Sequence, residues 1–246
     1  MRNIHIGCCG FPRSRSEYFH TLKVVEIQQT FYQPPALKTA ERWRAEAPAD
    51  FEFTLKAWQL ITHEPKSPTY RRLKLSWPHD RLEKCGSFRP TEEVQWAWER
   101  TREIARALRS RYIVFQCPSG FRPTGENRKN LESFFRSVKR EELQLVWEPR
   151  GMWTAEEVRD LCRELDLIHC VDPFKADPQW GRVRYFRIHG ITGYRYRFSE
   201  MDLKELLERS QGVTYCLFNN TNMWVDALAF LRLVKGPRHS PPQMLI

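Results

Sequence analysis

Short apolar runs recur along the chain at 3–7, 24–27, 51–56, 112–116, 143–148, 167–172, 184–189 and 213–219. Most end in, or contain, a polar or charged residue that a strand buried on both faces does not need: Glu26, Lys56, Gln116, Glu148, Asp172, His189 and Asn219. Strands of an all-parallel sheet read as continuous apolar stretches because helices cover both of their faces. Between the runs lie patterns of helical period. Leu37, Ala40, Trp43 and Ala47 mark one over 37–47, and Val94, Trp98, Ile104 and Leu108 mark another over 91–109. Thr91 followed by Glu92 and Glu93 supplies an N-cap and an acidic first turn. Further helices are predicted over 127–139, 154–165, 202–209 and 223–234, with Thr154 and Glu157 forming a capping box.

Strand and helix alternate through most of the chain, and the eight strands predict a parallel (β/α)8 or TIM barrel of the α/β class. Two connections break the rhythm. The segment 60–90, with Pro65, Pro68, Pro78 and Pro90, holds no sustained period and predicts a long ordered loop after the third strand, lying over the barrel mouth. The stretch 173–181 is too short and proline-rich for a full helix, so the helix after the sixth strand is predicted to be reduced or missing. The barrel is expected to occupy 1–235 as one domain, with a flexible tail over 236–246. A length of 246 residues suits a single such barrel.

In this fold the chemistry is mounted at the C-terminal ends of the strands. Period-two alternation places Glu148 and Arg150 on one side of the chain, and Arg187 and His189 likewise. A carboxylate beside a guanidinium either locks the strand end as a salt bridge or orients a substrate; a desolvated carboxylate away from the cation could act as a base. His189 can give or take a proton, and Tyr194 follows it in a glycine-rich turn. Asn219 and Asn220 run into the last helix, where barrels often hold phosphate on amide donors; the alternative is a plain helix cap. Glu26, Glu148, Asp172, His63 and His189 are ligand types for a divalent metal such as zinc or manganese, but their spacing forms no motif and no cofactor is required.

Charge and cysteine content narrow the partners. A formal net charge of +10, mostly from arginine, points to an anionic ligand such as phosphate esters or nucleic acid, or equally to a charged, solvated surface. The basic and aromatic residues of 60–90, among them Tyr70, Arg71, Arg72 and Trp77, could follow a phosphate backbone or form a charged lid. The seven cysteines show no disulfide framework and suit a reducing compartment. Cys8, Cys9 and Cys117 stand near strand ends as nucleophiles or, more commonly, as small buried thiols. With neither a signal-like start nor a membrane-length apolar run, a soluble cytoplasmic protein is expected.

Taken in order, Ile6-Gly7-Cys8-Cys9-Gly10, Glu26-Ile27-Gln28-Gln29-Thr30-Phe31-Tyr32, Phe53-Thr54-Leu55-Lys56-Ala57, Ile61-Thr62-His63, Phe115-Gln116-Cys117-Pro118, Glu148-Pro149-Arg150, Phe186-Arg187-Ile188-His189-Gly190 and Phe218-Asn219-Asn220 resemble the YecE-like family of TIM barrels, the domain of unknown function 72. The resemblance covers about residues 3 to 235. It implies a barrel cavity lined by Glu26, Lys56, His63, Gln116, Glu148, Arg150, Arg187, His189 and Asn219, and supplies no reaction. Cys8-Cys9-Gly10-Phe11 stands where members commonly have Thr-Ser-Gly-Trp, and Gln28 where asparagine is usual.

The expected function is an enzyme acting on a phosphate-bearing substrate, nucleic acid or nucleotide, by hydrolysis of a nuclease-like or phosphoester-directed kind, or by other acid–base chemistry. Glu148 leads as general base, with His189, Glu26 and Asp172 as further catalytic groups. Lys56, His63, Gln116, Arg150, Arg187, Tyr194, Asn219 and Asn220 are expected to bind substrate. The alternatives are a sugar-phosphate isomerase or lyase, and a binding module for an anionic ligand or RNA.

Overall fold

The computed structural model describes residues 2–236. Eight parallel strands close into a barrel in sequence order: β1 (Asn3–Cys9), β2 (Val24–Ile27), β3 (Glu52–Lys56), β4 (Tyr112–Gln116), β5 (Gln144–Glu148), β6 (Ile168–Val171), β7 (Arg184–Ile188) and β8 (Val213–Phe218). Closure comes from β1 pairing with β8, Asn3 opposite Val213 through Cys8 opposite Phe218. The protein is therefore a TIM barrel, as the alternation predicts.

Helices α1 (Arg15–Thr21), α2 (Gln29–Tyr32), α3 (Leu37–Glu46), α4 (Gln59–Thr62), α5 (His79–Leu82), α6 (Glu92–Leu108), α7 (Gly125–Ser137), α8 (Ala155–Glu164), α9 (Glu200–Arg209) and α10 (Met223–Lys235) cover the sheet. The long helices start where their caps dictate. Thr91 accepts from the Val94 amide, and Thr154 and Glu157 bond reciprocally as a capping box. Helix α1 is absent from the periodic reading because one buried pair, Tyr18 and Phe19, makes its apolar face; its signal is the Ser14 cap on the Glu17 amide.

Between Val171 and Arg184 no helix forms, so one sector of the sheet's outer face lacks the cover the others have. The segment 60–90 is the long connection expected after the third strand. It contains the short α5 and a 3-10 turn at Pro68–Arg72, and it packs against the loop after β2 and the start of α6, on the C-terminal side of the barrel. Arg72 stacks on Tyr32, the Lys74 amide bonds Gln33, and Trp77 meets Trp96 of α6. The tail expected over 236–246 lies, beyond Gly236, outside the described residues. No helix among them is long and apolar enough to cross a membrane.

The strand pleat divides the core in two. Val24, Tyr112, Val114, Val146, Ile168, Cys170, Tyr185, Tyr215 and Leu217 form one cluster inside the barrel, while alternate residues such as Phe53, Leu145, Trp147 and Phe186 pack outward under the helices. By the same alternation Glu26, Lys56, Gln116, Glu148 and Arg187 point inward in the layer nearest the mouth.

Candidate functional site

Arg187 organises that layer. Its guanidinium is 1% exposed and lies between two carboxylates, Nε donating to Glu26 Oε1 at 3.0 Å and Nη1 to Glu148 Oε2 at 2.5 Å. A buried charge is tolerated only when it is paired and hydrogen-bonded. Here two buried anions meet that demand, and against the effect of burial they hold the Arg187 proton far more firmly than usual.

Glu26, wholly buried, also accepts from Tyr185 Oη at 2.9 Å and from the Gln28 amide, with Cys9 Sγ at 3.5 Å. Its oxygens are taken, so the catalytic role expected for it is replaced by that of a support for Arg187. Of the positions where the sequence departs from the pattern it resembles, Cys9 and Gln28 both touch this carboxylate. Strand β1 runs on through Cys8 and Cys9 instead of stopping at Gly7. All seven cysteines are free and buried. Burial pushes the Cys8 and Cys117 thiols up to about 12, so both are packing groups.

Glu148 is clamped from the other side too: Arg150 donates to Oε1 through Nε at 3.0 Å and Nη2 at 2.8 Å. Burial raises a carboxyl, but Arg187 and then Arg150 outweigh it and bring Glu148 down to about 2. A carboxylate held on both oxygens by arginines is better placed to orient them than to take a proton near neutrality.

Lys56 takes the opposite course. Its amine bonds Gln116 Oε1, lies 3.7 Å from the centre of the Phe31 ring, and forms no ion pair among the described residues. Burial, and after it the neighbouring Arg187, lowers the amine to about 7. His63 stands on the same side, its ring edge-on to Phe31 and its Nδ1 2.8 Å from Thr62 Oγ1; burial brings it down to about 3.

At the end of β7 the chain of contacts continues outward. Arg150 Nη2 lies 3.2 Å from His189 Nε2. An arginine only donates, so Nε2 accepts and the ring proton sits on Nδ1, toward Asp172 Oδ2 at 3.5 Å. Asp172 also receives the His189 backbone N–H at 3.2 Å, and so positions the histidine rather than attacking a substrate. Tyr194 is exposed, edge-on to His189 at 5.6 Å.

The asparagines divide. Asn220 is buried with its amide on Tyr196 O and Asp226 Oδ2, a brace between the β7 and β8 loops, so the phosphate contact expected of it is withdrawn. Asn219 is half-buried, and its backbone N–H extends the pairing to Ile188. No three of the proposed metal-ligand types converge among the described residues, because Glu26 and Glu148 enclose a guanidinium instead.

A cleft of about 560 Å³ opens beside this network, lined by Glu148, Arg150, Asp172, His189 and Tyr194 at the mouth and by Trp153, Val158 and His169 further in. His169 is a residue the sequence reading missed; it faces outward from β6, where a helix would normally cover it.

The fold and this charged mouth define a TIM barrel with a buried ion network at the C-terminal ends of its strands. The chain belongs to the family described as protein of unknown function DUF72, whose model matches residues 12–240. It is similar to two crystal structures of DUF72 family proteins. One, from Enterococcus faecalis V583, is 19% identical with a TM-score of 0.72 over 96% of this chain and 99% of that one. The other, from Thermotoga maritima MSB8, is 21% identical with a TM-score of 0.68 over 95% and 100%. Endonuclease IV from Thermus thermophilus shares the fold at 12% identity and a TM-score of 0.56, over 96% of this chain and 98% of that one. A search of curated proteins finds no match.

Proposed function

We propose that this protein is an enzyme acting on a phosphate-bearing polyanion, nucleic acid, at the C-terminal mouth of the barrel. The observation that carries the reading is where the net charge sits. The segments between each strand's C-terminal end and the next long helix or strand hold fourteen lysines and arginines against five acidic residues, and so +9 of the chain's +10. The helices, strands and opposite-face turns together are nearly neutral. Arg13, Arg71, Arg72, Lys74, Arg122, Arg195 and Arg197 are exposed on these segments and form no ion pair among the described residues. A solvated surface alone has no reason to gather its charge on the one face where barrels do chemistry.

Within the mouth the roles follow from basicity and access. Arg150, whose Nη1 has no hydrogen-bond partner among the described residues, clamps a phosphoryl oxygen and stabilises the charge that develops there. Lys56 takes over proton transfer from Glu148, being the buried group whose proton affinity lies near neutrality. Glu148 holds both arginines in place. The name of the endonuclease IV neighbour agrees with a polyanion, although at that identity it speaks for the fold alone.

Purified protein incubated with labelled single-stranded DNA, RNA and a panel of phosphorylated metabolites, with and without manganese, tests the reading. Turnover of an oligonucleotide that disappears in Lys56→Met supports it. Salt-sensitive binding without turnover would make the protein a binding module, and absence of nucleic-acid binding at low salt would remove the reading altogether. One observation favours a second reading, a sugar-phosphate isomerase: the cleft has the size of a metabolite site. Turnover confined to the metabolite panel would select it.

A further inference from the structure

The inner half of the cleft exists because β6 has no helix after it. Chain 172–183 returns directly to β7, with the His169 amide bonded to Trp180 O and Phe174 packed on Phe198. The outward side of β6 is therefore roofed only in part. Its two outward residues, His169 and Val171, line the cleft, with Ala155 and Val158 of α8 and Trp153 on one side and Ala176 and Gln179 on the other.

His169 is 6% exposed, yet one of its nitrogens has nothing to bond. The Gln179 backbone N–H donates to Nδ1 at 3.0 Å, so Nδ1 is the lone-pair nitrogen and the ring proton is on Nε2. That N–H has no partner among the described residues. Burial lowers His169 to about 4, so the ring stays neutral and its tautomer stays fixed. The result is a slot with apolar and aromatic residues in its walls, the neutral His169 donor further in, and charged residues, Arg150, Lys175, Glu148, Asp172 and Asp177, in the rest of its lining.

Such a slot suits a flat ring bearing a hydrogen-bond acceptor and attached to an anion. We propose that it receives one unstacked nucleobase of the substrate, with His169 Nε2–H donating to a ring carbonyl or ring nitrogen while Arg150 holds the adjacent phosphate. Bases that are acted on or read singly are taken out of the stack into pockets of this kind. This inference rests on the nucleic-acid reading and adds the base subsite to it.

The test compares a ten-nucleotide oligothymidylate with an abasic tetrahydrofuran oligomer of the same length and charge, by fluorescence anisotropy at fixed salt. Equal charge makes the rim contribution the same for both, so the difference reports the base. The oligothymidylate is expected to bind about tenfold more tightly or better. Ala176→Trp fills the slot from an exposed loop position and His169→Leu removes the donor. Both are expected to erase the preference while leaving the abasic oligomer's affinity unchanged, Ala176→Trp without touching the sheet. Equal affinity of the two oligomers for the native protein, or a preference that survives Ala176→Trp, would overturn the base subsite and leave the polyanion reading intact. Failure of both oligomers to bind would overturn the two together.

Discussion

The top layer of the barrel interior and the rim of loops above it both rely on arginine, and they use it in opposite ways. Inside, Arg187 is sealed between Glu26 and Glu148, with Tyr185 and Gln28 completing the set. On the rim, Arg13, Arg122, Arg195 and Arg197 stand in solvent with no carboxylate within 4.0 Å among the described residues. A buried cation needs its anions in order to fold, so Arg187 is architecture first. A solvated cation has no such need, and a rim of them keeps its charge available for a ligand. Stability and binding should therefore separate on mutation.

The largest effect is expected inside. Arg187→Met leaves two buried carboxylates facing a methyl group and should destabilise the fold by about 3–5 kcal/mol. Arg195→Glu with Arg197→Glu should move the urea midpoint hardly at all. Equal midpoints for the native protein and Arg187→Met would erase the distinction between layer and rim.

Acid should attack the same layer next. Glu148 falls from its ordinary 4.5 to about 2 in the folded protein, so its contribution is fully present above pH 4.5 and is lost as pH drops toward 2. The size is about 3 kcal/mol by linkage. His63 and His169, lowered to about 3 and about 4, act in the same direction: the unfolded chain protonates them first, so stability begins to decline as pH falls below 6.5. Melting temperature should fall steadily from pH 7 to 3, and Glu148→Gln should flatten the part below pH 4.5.

Much of this contrast is legible in the sequence, and the reasons for the rest are physical. Alternation in Tyr185, Arg187 and His189 suffices to turn Arg187 inward, since a strand's pleat fixes side-chain direction. It says nothing about which acid Arg187 meets, because β2 and β5 reach it only when the barrel closes. Glu148 therefore reads as a base until two arginines are seen on it. Asn220 reads as a phosphate donor until Asp226, from the next helix, claims its amide. His169 does carry a signal: a polar residue at an outward strand position, just before the one connection too short for a helix. The charge asymmetry is present too, but it becomes visible only once loops are assigned to one face or the other.

On the rim, the effect should appear in binding. Arg195→Glu with Arg197→Glu is expected to weaken oligonucleotide affinity about tenfold at moderate salt and to lower the slope of log K against log salt, as loss of phosphate contacts requires. An unchanged slope would mean that these cations do not face the ligand, and the polyanion reading would lose its main support on that side of the mouth.

Lys56 belongs to neither class, and it gives the smallest and most diagnostic effect. It is buried like Arg187 but unpaired like the rim, and an unpaired buried cation yields by losing its proton. Its amine stands at about 7 in the folded chain against 10.5 ordinarily, so between those values the unfolded chain holds a proton that the folded chain does not. Native stability should rise with pH through that window. Lys56→Met removes the burden of a buried charge and should stabilise the protein by about 1 kcal/mol at pH 6, an advantage that fades by pH 10. Turnover should be lost at both. A residue kept at a cost to stability that vanishes when it is deprotonated is held for its proton, whereas a variant less stable at pH 6 would show that the amine's contacts with Gln116 and Phe31 are what the mouth requires.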